Sequence, residues 1–568
     1  MWQESCTLKE SPWLKVRQFE FLECAGLLSP HIKLAVTQER AALSFKLTHS
    51  PHLRCWESLC TVQVMNRRGL LRSAGLVALG YPLLRLSAIQ SSPQFSSDPF
   101  AAGVASGDPT RSGVVLWTRL IPDANAERDW QRAAVEVDWE IASDEGMKRV
   151  VRRGRAMATP DYGHSVHVDA TGLDANRWYW YQFRSGAASS PIGRTKTAPS
   201  SATDRIRFAF ASCQNFQSGY YTAYQNMVRE DIDAIVFLGD YIYETSGPGA
   251  RTIAIPESKT LDTYRARYAF YRSDANLREA HRLFPWIMTW DDHDVQDNYA
   301  GLVPKDTQSP EEFQKRRAAA YQSYYEWLPM PKAVVPTGAD SRLYRSLSFG
   351  PLANFVVLDG RQYRDDQACG DGNKAPCAEF LSERSMLGTA QEQWLDRELR
   401  ASRSQWNILA NQVRMTVVDQ AAGSNEIYNM DAWSGYETAR KRIVSSLENS
   451  RVRNPVVLTG DIHSNWVCDL KVDYRKEGSP TVATELIGTS ISSGGDGSDT
   501  AANVTATLAE NPQVKFYNSQ RGYVRCEVTS KSLTTDYRVV EKVSVPESTI
   551  STRASFIVEN GKPGAHKI

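Results

Sequence analysis

Apolar runs that stop abruptly at polar, chemically competent residues set the rhythm of the second half of this chain. Arg205-Ile-Arg-Phe-Ala-Phe-Ala-Ser ends at Cys213, Asp231-Ile-Asp-Ala-Ile-Val-Phe-Leu-Gly ends at Asp240-Tyr-Ile-Tyr243-Glu244, and Trp286-Ile-Met-Thr-Trp runs into Asp291-Asp292-His293-Asp294. Further on, Asn354-Phe-Val-Val-Leu meets Asp359-Gly-Arg361, Asn407-Ile-Leu-Ala meets Asn411-Gln412, and Val456-Val-Leu-Thr-Gly meets Asp461-Ile-His463. Short apolar runs of this kind read as strands covered on both faces. Helical stretches around Tyr220 to Arg229, Pro310 to Trp327 and Thr389 to Ala401 alternate with them, which predicts an α/β core spanning 205–545. Its closing strands, from Tyr517 to Val545, extend a sheet, and 546–568 reads as a C-terminal tail.

Ahead of that core the pattern changes. Gly113 to Arg119, Ala134 to Glu140, Ser165 to Asp169 and Trp178 to Phe183 are short β-type runs separated by Gly, Pro and Asp turns, which predicts a small β-sandwich over 99–198. The stretch from Leu173 to Tyr181 resembles the turn and aromatic strand of fibronectin-like domains. A Pro/Ser linker around Thr195 to Asp204 separates the two regions.

A length of 568 residues with 42% hydrophobic content is enough for two or three well-filled cores. The 66 basic residues balance 65 acidic ones, so no global field favours nucleic acid or an anionic membrane, and any preference for anions must be local. No apolar stretch is long enough to predict a transmembrane helix. Met65-Asn-Arg67-Arg68-Gly-Leu70-Leu71-Arg72 precedes a mildly hydrophobic run and resembles a twin-arginine signal, with 65–98 as signal and linker. That reading implies the twin-arginine export machinery as a partner and a periplasmic or secreted destination; a short amphipathic helix with a chance arginine pair is the plain alternative. Met65 is then expected to be the natural start and residues 1–64 a spurious N-terminal extension. Of the remaining cysteines, Cys369 and Cys377 bracket a Gly-, Asn- and Pro-containing loop and suit a local disulfide, while Cys468 and Cys526 read as core thiols.

Ligands of an open α/β sheet gather beyond the carboxyl ends of its strands. Those ends here supply Cys213, Asp240, Tyr243, Asp292, His293, Asn411, Asp461 and His463. Carboxylates and an amide suit hard cations, imidazole suits first-row metals, and a tyrosinate favours a trivalent ion over zinc. Each motif alone is ordinary: Asp-Asp-His-Asp can be a helix cap, and Arg361 can pair with Asp359 or Asp365. The ordered set is harder to explain by packing.

Gly239-Asp240-x-x-Tyr243 resembles the motif by which purple acid phosphatases hold iron. Taken with Ala211-Ser-Cys213-Gln, Trp290-Asp-Asp-His293-Asp-Val-x-Asp-Asn298, Leu358-Asp-Gly-Arg361, Asn411-Gln and Thr459-Gly-Asp461-Ile-His463, the chain resembles the PhoD-like alkaline phosphatases and phosphodiesterases over about residues 98–545. The resemblance implies a four-layer metallophosphatase core with mixed sheets, and a ferric ion held by Cys213 and Tyr243 with calcium, one ion or two, beside it. Asp240 would bridge the metals, Asp292, Asp461 and His463 would complete the coordination, and Asn411 would offer an oxygen. Such cations neutralise a phosphate ester and acidify a water that attacks it in line. Arg361 would then clamp a phosphoryl oxygen and His293 would donate a proton to the leaving alkoxide. The family pattern has Thr where this chain has Gly360, which touches only the local loop.

The expected substrates are phosphate-ester small molecules or phosphodiester polymers. A phospholipase D-like or teichoic-acid diesterase would use the same site. An iron redox enzyme and a non-catalytic surface-binding protein are the readings of a different class; the bridging-Asp pattern counts against the first of these.

Overall fold

The computed structural model describes residues 34–39, 42–47, 95–121, 132–449, 452–476, 478–500 and 504–568. The twin-arginine motif lies outside the described residues, as does most of 1–64. Within Met1–Ile89 the described backbone is one antiparallel hairpin, Leu34–Glu39 with Ala42–Leu47, and Gln90–Ile568 forms a separate compact unit.

Strand alternation builds the larger unit. Along Arg205–Ala211, Ile206, Phe208 and Phe210 point to one face and Ala209 and Ala211 to the other, the two-residue period of a pleated strand. The first set meets Val236, Ile287, Phe355, Ile408, Val456 and Leu486, so the core lies between two facing sheets. Each fully buried Phe or Ile there contributes roughly 1.5–3 kcal/mol of transfer free energy. One sheet has ten strands in the order Lys562–Lys567, Ile550–Glu559, Ser532–Val540, Gly522–Thr529, Arg205–Ala211, Ala234–Phe237, Pro285–Met288, Val104–Thr110, Gly113–Arg119, Ser165–Thr171. The other has seven, in the order Arg345–Phe349, Ala353–Val357, Trp406–Ala410, Pro455–Thr459, Thr481–Ile487, Asn465–Lys471, Val514–Asn518.

Helices cover both outer faces and complete four layers. Leu261–Arg272, Ala275–Leu283 and Pro310–Trp327 lay Tyr264, Tyr268, Tyr271, Leu277, Tyr321 and Tyr324 against the ten-stranded sheet. Gly388–Ala401 and Glu437–Asn449 cover the seven-stranded one through Trp394, Leu395, Ile443 and Leu447. The start of Pro310–Trp327 is written in sequence. Ser309 Oγ accepts the Glu312 N–H, Glu312 returns a carboxylate oxygen to the Ser309 N–H, and proline takes the first helical turn.

Two boundary expectations change. The 99–198 region does contain a second sheet, ordered Gly193–Lys196, Trp178–Ser185, Val135–Ala142, Val150–Ala158, with Tyr179 accepting the Asp174 N–H at 2.9 Å as in a tyrosine corner. It packs on Val104, Val114, Leu116, Val166 and Val168 of strands that themselves belong to the ten-stranded sheet. The join is parallel pairing of Pro285 and Trp286 with Ser106 and Gly107, so the sandwich shares a sheet with the core. Residues 546–568 are not a tail: Ile550–Glu559 and Lys562–Lys567 are the outermost strands, with Phe556, Val558 and Ala565 buried. The single alternating face of Ile550–Glu559, covered on one side only, gives a weaker sequence signal than the runs before it.

Candidate metal centre

Parallel pairing fixes where the polar strand tips go. Arg205–Ala211, Ala234–Phe237 and Pro285–Met288 run parallel in one sheet; Ala353–Val357, Trp406–Ala410, Pro455–Thr459 and Thr481–Ile487 run parallel in the other. Their carboxyl ends are stitched together: Ser212 bridges Ser490, Thr289 Oγ1 donates to the Leu358 carbonyl at 2.8 Å, and Gln412 Nε2 donates to Thr289 Oγ1 at 2.6 Å. Gly360 belongs to this seam, because a Cβ there would lie 2.8 Å from Gln412 Oε1.

The turn after each tip is sharp. Cys213, Asp240, Asp461 and His463 all have left-handed backbone, with φ of 57°, 56°, 66° and 52°. For non-glycine residues this costs of order 1–3 kcal/mol each and persists only where the surroundings over-determine it. The Cys213 N–H donates to the Gly239 carbonyl at 3.0 Å and Gln214 N–H to Asp240 carbonyl at 3.1 Å, tying two tips together. Asp294 gathers the loop by accepting the N–H groups of Asp240 and Tyr241 at 3.0 and 3.1 Å. Gly239, at φ 107°, leaves no room for a side chain, since a Cβ would sit 2.4 Å from that of Asp291.

These turns bring most of the expected residues together. Ligand-competent atoms of Cys213, Asp240 and His463 lie within 4.8 Å of one another, as do those of Asp240, Asp291 and Asp292, and those of Asp292, His293 and Asp297. Tyr243 Oη donates to Asp240 Oδ2 at 2.8 Å, lies 3.0 Å from His463 Nε2 and accepts Ser493 Oγ at 2.8 Å. His293 stacks on the Tyr243 ring at 4.1 Å between centroids, and its Nδ1 meets Glu244 Oε2 at 2.7 Å.

Electrostatically the cluster is overloaded with acids. Burial, reinforced by Asp292, pushes the Asp240 carboxyl well up, and burial together with Asp291 and Asp292 does the same to Asp461. Burial and the Asp240 charge likewise raise the Cys213 thiol and the Tyr243 phenol. His463, by contrast, is held neutral by burial and the nearby Arg521, its basicity lowered to about 3, which leaves one ring nitrogen with a lone pair. Asp291 Oδ2 and Asp292 Oδ1 are buried without a hydrogen-bond donor. Thiol, phenol, imidazole and orphaned carboxylate oxygens in one dry place form a donor set that cations would satisfy. The site therefore fits the metals implied by the sequence.

Two of the expected residues are already engaged with the protein. Arg361 is wholly buried and spent on carboxylates: Nε reaches Asp291, and Nη2 lies 3.3 Å from Asp292 and 2.8 Å from Asp431. It thus neutralises part of the acidic cluster and faces no open space. Asn411 has both side-chain atoms engaged, Oδ1 with Trp433 Nε1 at 3.1 Å and Nδ2 with the Val413 carbonyl at 2.5 Å. Several participants were not singled out from sequence: Asp291, Glu244, Asp297, Ser493 and Asp431. Asp291 and Glu244 sit inside quoted motifs, where an adjacent acid was the available signal. Asp431, in Asn429-Met-Asp431-Ala-Trp433, carries no such signal, yet it anchors both Arg361 and Arg364.

Facing mixed sheets that deliver acids to one seam under outer helices are the architecture of the metallophosphatases, and the chain has that fold. More narrowly, residues 208–537 match the PhoD-like phosphatase family and residues 86–199 match its N-terminal domain, so the chain belongs to the PhoD-like phosphatases and is a hydrolase of phosphoric ester bonds. It is 46% identical over 520 residues to alkaline phosphatase D of Bacillus subtilis (strain 168), covering 89% of each chain. A solved structure described as that of PhoD superposes with a TM-score of 0.81 at 47% identity, covering 84% of this chain and 93% of that one.

Proposed function

We propose that the chain is an exported, metal-dependent phosphoesterase acting on phosphate mono- or diesters at the strand-tip seam. The observation that carries this reading is the convergence of Cys213, Asp240, Tyr243 and His463, from three separate loops, within reach of shared ions. In this assignment a ferric ion would be held by Cys213, Tyr243, Asp240 and His463, and calcium by Asp240, Asp291, Asp292 and Asp461. Bound there, the cations supply positive charge for the phosphoryl oxygens and acidity for a water.

The chain's own residues do the rest. Arg361 keeps Asp292 ionised against burial, and it pairs with Asp291, whose carboxyl burial still pushes up to about 7. Glu244 holds the His293 Nδ1 proton, so His293 carries positive charge beside Asp240 and Asp292 and can hand a proton to the departing alkoxide. Asp461 and His463 are partly exposed and mark the open side of the seam, where an ester enters.

Export by the twin-arginine route would suit a protein that loads metal while folding, and the Cys369–Cys377 disulfide, with Cα atoms 5.7 Å apart, suits an oxidising compartment. No helix among the described residues is long and apolar enough to cross a membrane.

The test is elemental analysis of purified protein combined with monoester, diester and peroxide turnover before and after calcium chelation. Asp240→Asn is expected to lose turnover by three orders of magnitude or more while melting as the wild type does, since the amide keeps the shape and removes the charge that two cations share. Peroxide turnover without phosphate-ester hydrolysis, or near-wild-type activity in Asp240→Asn, would overturn the reading.

A further inference from the structure

A cleft of ≈ 450 Å³ opens beside Asp461 and His463, and Arg414 lines it together with Trp466 and Tyr517. Arg414 sits on the loop after Trp406–Ala410 and is 3% exposed. Other buried arginines among the described residues are answered by acids or carbonyls: Arg361 and Arg364 by Asp431, Arg440 by Glu437, Arg316 by Glu257, and Arg267 by backbone oxygens. Among the described residues Arg414 makes no ion pair within 4.0 Å, Glu485 and Asp461 acting on it only from farther away, and its Nε is buried without an acceptor. The guanidinium carbon instead lies 5.6 Å from the centroid of the Trp466 ring.

The nearby acid is already committed. Glu485 Oε1 accepts the Met415 N–H at 2.8 Å and Thr459 Oγ1 at 2.7 Å, and Oε2 accepts the Thr416 N–H at 2.7 Å. The same loop that carries Arg414 thus occupies both oxygens of Glu485 and leaves the guanidinium without a carboxylate in contact. An always-charged, planar fork that lines a cleft with its Nε buried and unmatched is costly to folding and is a ready receptor for a phosphoryl oxygen. The wall formed by Trp466 and Tyr517, whose rings meet edge to face at 4.8 Å, would lie against the organic part of an ester.

We propose that Arg414 holds a phosphoryl oxygen of the bound ester, the part that the sequence suggested for Arg361. This rests on the phosphoesterase reading above. The phosphoryl group can be the one being cleaved or a neighbouring phosphate on the same substrate, and the experiment separates the two.

Arg414→Met and Arg414→Lys holoenzymes would be compared with wild type for inhibition by inorganic phosphate, and for kcat and KM on 4-nitrophenyl phosphate and adenosine 3′,5′-bisphosphate. Metal content and Tm would be measured alongside. Arg414→Met is expected to keep its metals and its Tm while the phosphate inhibition constant and the monoester KM rise at least tenfold, more than kcat falls, with Lys restoring part of the loss. A loss confined to the bisphosphate would also support the proposal and assign the anion to a neighbouring phosphate. Inhibition and KM values within twofold of wild type on every probe would overturn it. So would a joint fall of Tm, metal content and activity in both variants, which would make Arg414 a structural residue. A wild type that cleaves neither of these monoesters nor bis(4-nitrophenyl) phosphate, a diester, would instead sink the phosphoesterase reading, and the proposal with it.

Discussion

His167 shows how far a single residue's environment can move its chemistry without any link to catalysis. It stacks on Tyr325 at 4.1 Å, its Nδ1 meets the Met330 carbonyl at 2.9 Å, and burial lowers its basicity to about 3. In the unfolded chain it would bind a proton near pH 6.5. The unfolded state therefore takes up a proton that the native state refuses, and stability falls as pH drops from about 6.5 toward 3. At pH 4.5 this one group is expected to have removed about 2–3 kcal/mol relative to pH 7. Urea midpoints at the two pH values should show a smaller acid loss in His167→Gln than in the wild type, and equal losses would contradict this account. Much at this scale was legible: Cys213, Asp240, Tyr243 and His463 each end an apolar run, and sequence marks such ends. The occupancy of Arg361 was not legible, because it depends on Asp431, seventy positions away by sequence but ion-paired with it in space.

At the scale of the element, the turn at Gly239-Asp240 decides whether a strand end becomes a site. The strand Ala234–Phe237 is buried along its whole length, so its pattern is plain in the sequence. What the pattern omits is the approach of Asp291, which only a residue without a Cβ permits at Gly239. Gly239→Ala is expected to cost more than about 2 kcal/mol, through positive φ and steric overlap together. It should also lower bound metal, because Asp240 and Asp291 must then move apart. Denaturant unfolding with metal analysis checks both, and a variant as stable and as metal-rich as wild type would refute the argument. The final strands were harder to read than this one, since Ile550–Glu559 is covered on one face and shows only alternation.

Across the whole molecule, the ten-stranded sheet runs across the boundary near residue 200 that composition suggested and the family match keeps. The Pro/Ser-rich stretch near residue 200 reads as a linker, yet Val104–Thr110 pairs with Pro285–Met288 across it, and Trp117 Nε1 donates to the Glu326 carbonyl at 3.1 Å. Long-range pairing of that kind leaves little trace in local pattern. Calorimetry on the purified protein is expected to give a single cooperative transition for Gln90–Ile568, and two resolved transitions would mean that the sandwich melts by itself.

The same sheet has a temporal consequence. Arg205–Ala211 lies between Ala234–Phe237 and Gly522–Thr529, so a strand made early in synthesis waits for one made near the end before both its edges are covered. A ribosome would have to release almost the entire polypeptide before this layer can close, and until then a chaperone or some other guard must shield the open edge.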